Sequence, residues 1–177
     1  MIIDILRLVL RFLVLVSIQV LVLNNVQLGG YINPWLYVLF ILTLPINTPR
    51  LLLLTVAMFT GLSIDMFLNT MGMHASACLI IAYMRPGWLK MIAPRDGYDT
   101  ESEPSIRKNG LKWFVAYASI MILVHHFFLF FIEVFRFSEF GSTLLRILLS
   151  SVVTLFLVLL TQFLGGKPSE RMQRAGN

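Results

Sequence analysis

One cysteine, Cys78, in 177 residues rules out a disulfide within the chain and leaves the redox compartment unread. Charge is scarce too. Asp, Glu, Lys and Arg make up 13% of the residues, about half the ~25% of a soluble globular domain. There is no GxxxxGK phosphate loop, no HExxH and no GxSxG, so the nucleotide-binding and hydrolytic mechanisms those motifs scaffold are not expected. His125 and His126 are adjacent on an expected helix and point about 100° apart, so they do not chelate one metal as an i, i+4 pair would. One intramembrane aspartate falls short of the two carboxylates that share a proton in an aspartyl protease. The expectation is a protein that is not an enzyme and holds no metal or cofactor.

What the chain has instead is apolar length. Hydrophobic residues make up 58% of it, with 14 phenylalanines. No charged residue occurs from Phe12 to Tyr31, from Leu51 to Ile64 or from Ile147 to Gly166. Runs near 20 residues match the ~30 Å hydrocarbon core of a bilayer. An N-terminal signal peptide fits the first run less well, because its apolar part is too long and further spans follow. The expected fold is an all-α integral membrane protein of one domain with six transmembrane helices. They are placed at about 5–23, 33–46, 51–68, 73–89, 113–135 and 142–164. The second is short and bracketed by Pro34 and Pro45, which suits a tilted helix or a re-entrant arm.

Basic residues support the count. Six spans put both termini, the 45–50 turn and the 90–112 loop on one side. That side gathers Arg7, Arg11, Arg50, Arg85, Lys90, Arg95, Arg107, Lys108, Lys112, Lys167, Arg171 and Arg174, against Arg136 and Arg146 on the other. The asymmetry places both termini in the cytoplasm. The net charge of +5 therefore faces a lipid surface, and no nucleic-acid partner is expected. Only residues 86–112 form a sizeable connector: Trp88, Leu89, Met91 and Ile92 suit the headgroup layer, and the acidic DGYDTESEP reads as a solvated, mobile stretch.

Polar residues inside the spans fall on stripes. Gln19 lies too deep to reach the headgroups and is expected to face protein. Arg146, Ser150, Thr154 and Thr161 form a stripe suited to interhelical hydrogen bonds, and His126 and Glu133, seven apart, share a face. The densest group is GLSIDMFLNTMGMHASA, residues 61–77. Gly61, Asp65 and Asn69 share one helix face near the end of the third span, and the NTMG turn returns His74 towards them. A carboxylate at this depth is costly unless paired; Asn69, Thr70, His74 and Arg146 are the available partners. Small residues, among them Gly61, Gly72 and Ala75, allow close helix packing. A structural clamp and a binding site both remain open. As a clamp, Asp65→Asn is expected to be mild and Asp65→Leu severe.

The order of features, with TPR at the start of the third span, GLSIDMFLNTMGMHASA and AYMRP, resembles the bacterial rod shape-determining protein MreD family. The pattern G-x-x-x-D-x-x-x-x-x-x-G-x-x-A is matched by Gly61, Asp65, Gly72 and Ala75, and the resemblance covers essentially the whole chain. Its 86–112 loop departs from many members in being longer and more acidic. The resemblance implies an inner-membrane component of the cell-elongation complex, maintaining rod shape by organising lateral peptidoglycan synthesis. MreC would be its partner, with MreB, RodA and a penicillin-binding transpeptidase in the larger complex. It also implies a fold similar to the substrate-binding components of energy-coupling-factor transporters, and the alternative is a vitamin-uptake component of that kind. Those components often dock through an alanine face on the first helix, whereas ILRLVLRFLVLVSIQVLVL has no alanine. The expected docking surface for a single-span partner is the apolar face of the first two spans, including Leu8, Phe12, Leu15, Trp35 and Phe40.

Overall fold

The computed structural model describes residues 2–26, 29, 31–95, 97–98, 103–134 and 140–165. Among these every regular element is a helix: α1 (Ile2–Leu21), α2 (Val38–Leu42), α3 (Arg50–Leu68), α4 (Met73–Met91), α5 (Ile106–Asn109), α6 (Leu111–Val134) and α7 (Phe140–Leu164). A turn of 3₁₀ helix, Leu23–Asn25, extends α1. Four stretches are long and apolar enough to cross a membrane: Ile3–Asn25, Arg50–Leu68, Leu111–Val134 and Phe140–Leu164. α4 matches α3 in length but carries Arg85 and Lys90 in its second half. Arg136, Lys167, Arg171 and Arg174 lie outside the described residues; of the other ten basic residues, nine sit at the end of the bundle where α1, α3 and α6 begin, and Arg146 sits at the opposite end.

α3 and α4 form a tight antiparallel hairpin. α4 packs in turn on α6, α6 on α7, and α1 on α3. The segment from Tyr31 to Ile46 threads between them and touches α1, α3, α4 and α6. It runs antiparallel to α1, because Arg11 donates to the Thr43 carbonyl while Gln19, two turns further on, bonds Pro34 and Leu36.

A helix over 33–46 is not what forms there; only Val38–Leu42 is α-helical. Proline at 34 and 45 removes two backbone donors and disfavours helix at the preceding residues. The unwound backbone is satisfied by side chains from elsewhere. Ser150 Oγ accepts from Asn33 N (3.1 Å), Thr154 Oγ1 from Trp35 N (3.0 Å) and Gln19 Oε1 from Leu36 N (2.8 Å). At the other end the Tyr117 hydroxyl donates to Leu42 O (3.0 Å), and Arg85 donates to the carbonyls of Leu44 and Pro45. Irregular backbone at membrane depth is tolerated only where protein encloses it, and Tyr37, Val38, Ile41 and Leu42 are wholly enclosed.

The expected docking surface turns inward. Leu15 and Phe40 are buried, Leu8, Phe12 and Trp35 pack against the core, and the Phe12 ring meets Phe40 edge-on at 5.4 Å. Beyond Arg11, α1 carries only Ser17 and Gln19 as polar residues, so hydropathy there does little to separate its core face from its lipid face. Gln19 marks the inner one: Leu8, Phe12 and Leu15 stand 11, 7 and 4 positions before it, on the same stripe. The outer face exposes Leu6, Leu10, Leu13 and Leu21.

The 86–112 connector folds back on the bundle. α4 continues to Met91, Tyr98 donates to Leu89 O (2.8 Å), and Trp113 Nε1 donates to Ile92 O (2.9 Å). Glu103 pairs with Arg11 at 2.9 Å, so that end of the acidic stretch is docked rather than free in solvent. Residues 96 and 99–102 lie outside the described residues.

Candidate functional site

The 61–77 hairpin is built around Asp65, which is 4% exposed. Its Oδ1 accepts from the Thr70 hydroxyl and from His74 N (3.0 Å), and its Oδ2 accepts from Ala75 N (2.9 Å). The two N–H groups belong to the first turn of α4, where no carbonyl of the same helix is available. A carboxylate there also complements the positive end of the helix dipole. The turn is closed by two left-handed residues, Asn69 (φ 56°) ending α3 and Gly72 (φ 80°) starting α4. Asn tolerates that region and Gly occupies it without a steric cost.

Gly61 sets how close the helices come. A Cβ there would stand 2.3 Å from Ala75 Cα and 2.5 Å from Ala75 N. Gly61, Asp65, Gly72 and Ala75 thus act together: near approach, cap, turn and the surface approached.

Three expectations about Asp65 need correcting. Asn69 contributes its conformation and a backbone N–H to Asp65 O, not a side-chain bond to the carboxylate. His74 contributes its backbone N–H, and its imidazole turns elsewhere. Arg146 pairs with Glu133 (3.1 Å) and lies over the Phe130 ring, 4.3 Å from its centroid. The Asn33 amide faces the same guanidinium and, with its oxygen turned to that side, accepts from Nη2 at 2.6 Å. Since all three groups facing the carboxylate are donors, an amide at position 65 would set its own NH₂ against one of them. Asp65→Asn is therefore not the mild change expected.

The His74 imidazole joins a buried network. The Tyr37 hydroxyl lies 2.9 Å from His74 Nδ1 and 2.7 Å from His125 Nε2. It has one proton to donate, so one imidazole accepts from it and the other donates to it. His126, one residue on, points the other way. Its Nδ1 donates to Ile122 O (2.9 Å), which leaves Nε2 of the neutral ring to accept from the Thr154 hydroxyl (3.1 Å). The α6 stripe of His126 and Glu133 therefore faces the α7 stripe of Thr154 and Arg146.

Above this network, at the end of the bundle where α1 and α3 finish, opens a cavity of about 430 Å³. Gln19, Asn33, Trp35, Thr70, His74, Glu133 and Arg146 are among its walls. The size falls within the ~300–1,000 Å³ of small-molecule sites. Trp35 Nε1 and His125 Nδ1 are buried without a hydrogen-bond partner; of the two, only Trp35 lines the cavity. Among the described residues no group of three or more His, Cys, Asp or Glu could hold a metal ion.

The roles of Tyr37 and Arg85 are not marked in the sequence, nor are the backbone targets of Ser150 and Thr154 at Asn33 and Trp35; the interhelical bond expected of Thr154 does form, to the His126 side chain of α6. One signal was present. A proline-bracketed apolar segment leaves backbone groups to be satisfied, and the spans carry spare donors and acceptors.

No family model matches this chain, and no curated protein or solved structure matches it.

Proposed function

We propose that this chain is a non-enzymatic membrane scaffold of the MreD kind, recruiting cell-elongation proteins to maintain rod shape. In this reading it crosses the bacterial inner membrane six times, with 31–46 as a partly unwound second crossing and both termini in the cytoplasm. The observation that carries it is the hairpin. The four positions that bear the resemblance, Gly61, Asp65, Gly72 and Ala75, form one contacting unit rather than a scattered match.

The described residues include no folded part outside the bundle, so recruitment would run through helix faces and the 86–112 connector. With Leu8, Phe12, Leu15, Trp35 and Phe40 turned inward, contact with MreC falls to outward residues of α1. Crosslinkers at Leu10 and Leu13 are expected to capture it, with MreB, RodA and the transpeptidase joining through the complex.

The cavity favours a second reading, a substrate-binding component of a vitamin transporter whose ligand would sit against Trp35 and His74. Removing the gene in its host separates the two. Rounded, swollen cells are expected; normal shape with vitamin auxotrophy would favour transport.

A further inference from the structure

A second hollow, of about 670 Å³, lies at the opposite end of the bundle between α1 and α7. Val14, Leu15 and Leu39 make its apolar wall, Thr161 and Gln162 of α7 stand across from them, and Arg107 and Lys108 form its rim. Glu103, also in the rim, is engaged by Arg11 at 2.9 Å. Arg107 and Lys108 are exposed and have no ion pair among the described residues. Among the described residues three cations thus face one carboxylate, and two of the cations have no acidic partner.

We infer that this groove binds the phosphate headgroup of an anionic phospholipid, with the upper acyl chain along the α1 wall. Charge selects an anion, and the apolar wall selects a lipid among anions. Val14 is 47% exposed and carries the wall onto the exposed apolar surface of Leu10 and Leu13, where acyl chains would continue. A free anion would use the rim and leave that wall empty. The groove also lies at the end holding nine of the ten described basic residues, the end that would face an anionic cytoplasmic leaflet. Because Glu103, Pro104 and Ser105 line it, a bound lipid would tie the connector to the bundle. The inference rests on the chain lying in a membrane, not on its role in elongation.

Native mass spectrometry of the detergent-purified full chain, titrated with phosphatidylglycerol, phosphatidylcholine or inorganic phosphate, tests it. Wild type is expected to retain phosphatidylglycerol over phosphatidylcholine, with inorganic phosphate a poor competitor. Arg107→Gln with Lys108→Gln should weaken phosphatidylglycerol binding by roughly 30-fold, the effect of two basic contacts at an anionic surface. Both side chains are exposed, so the fold is expected to survive. Val14→Trp, which fills the groove and leaves the charge, should also block binding. Equal binding of both lipids, unchanged binding by either variant, or full competition by inorganic phosphate would overturn the inference.

Discussion

The 61–77 hairpin and the 31–46 segment meet the same demand, polar backbone in apolar surroundings, by opposite means. The hairpin is served from within: Asp65 finds its donors five, nine and ten residues along the chain. The threaded segment is served from afar, by Gln19, Arg85, Tyr117, Ser150 and Thr154, as far as 119 residues away. The hairpin can therefore form as soon as α3 and α4 meet, whereas 31–46 is defined only when α1, α4, α6 and α7 are all in place. The two regions join at one point, the Tyr37 hydroxyl beside the His74 imidazole.

Substitutions can break either side of that comparison. The largest effect is expected from Gly61→Leu, because even its Cβ would fall within 2.3 Å of Ala75 Cα and backbone lies on both sides. The cost should exceed the ~1–3 kcal/mol of ordinary overpacking, and membrane abundance should drop to near nothing.

Arg85→Met strikes the threaded segment. Arg85 is 1% exposed, and its loss leaves the Leu44 carbonyl without the donor that serves it, at about 1–3 kcal/mol, whereas the Pro45 carbonyl keeps the Thr48 N–H and hydroxyl. A lower melting temperature in detergent is expected, with only partial recovery in Arg85→Lys, whose single ammonium lacks the guanidinium's fork.

Asp65 sharpens the contrast by grading the damage. Asp65→Leu abandons three donors and should be severe, again at about 1–3 kcal/mol for each buried group left unpaired. Asp65→Asn keeps one acceptor oxygen and should fall between wild type and Leu in abundance. Wild-type abundance with lost cell shape in Asp65→Asn would instead make Asp65 a functional group rather than a clamp.

Thr154→Val is the smallest of the four. The isosteric change leaves Trp35 N–H and His126 Nε2 unpaired, and ~1–3 kcal/mol is expected from buried groups, nearer the lower figure given that hydrogen bonds between membrane helices average about 0.6 kcal/mol. Comparing melting temperatures of wild type and variant in one detergent measures it.

The same contrast explains what was legible in the sequence. α3, α4, α6 and α7 begin and end within two residues of expectation, because apolar runs are punctuated locally by Pro49, by Asn69 to Gly72 and by Gly110. The hairpin was legible as a unit for the same reason, although backbone rather than side chain at His74 meets the carboxylate. The conformation of 31–46 was not legible, since its partners are more than a hundred residues away at Ser150 and Thr154. Nor was the inner face of α1, where Gln19 was correctly expected to face protein but the apolar residues on its own stripe were assigned outward. Arg85 reads in the sequence as one of the cations of the cytoplasmic side, and nothing local marks it as the residue that closes Leu44 and Pro45.

The threaded segment is held by remote side chains while the hairpin holds itself. Amide hydrogen exchange of purified wild type and Thr154→Val, followed by mass spectrometry, distinguishes the two. Faster exchange in peptides spanning 33–38, with protection at 65–77 unchanged, is the expected result. Unchanged exchange at 33–38, or equal loss of protection in both regions, would contradict that distinction.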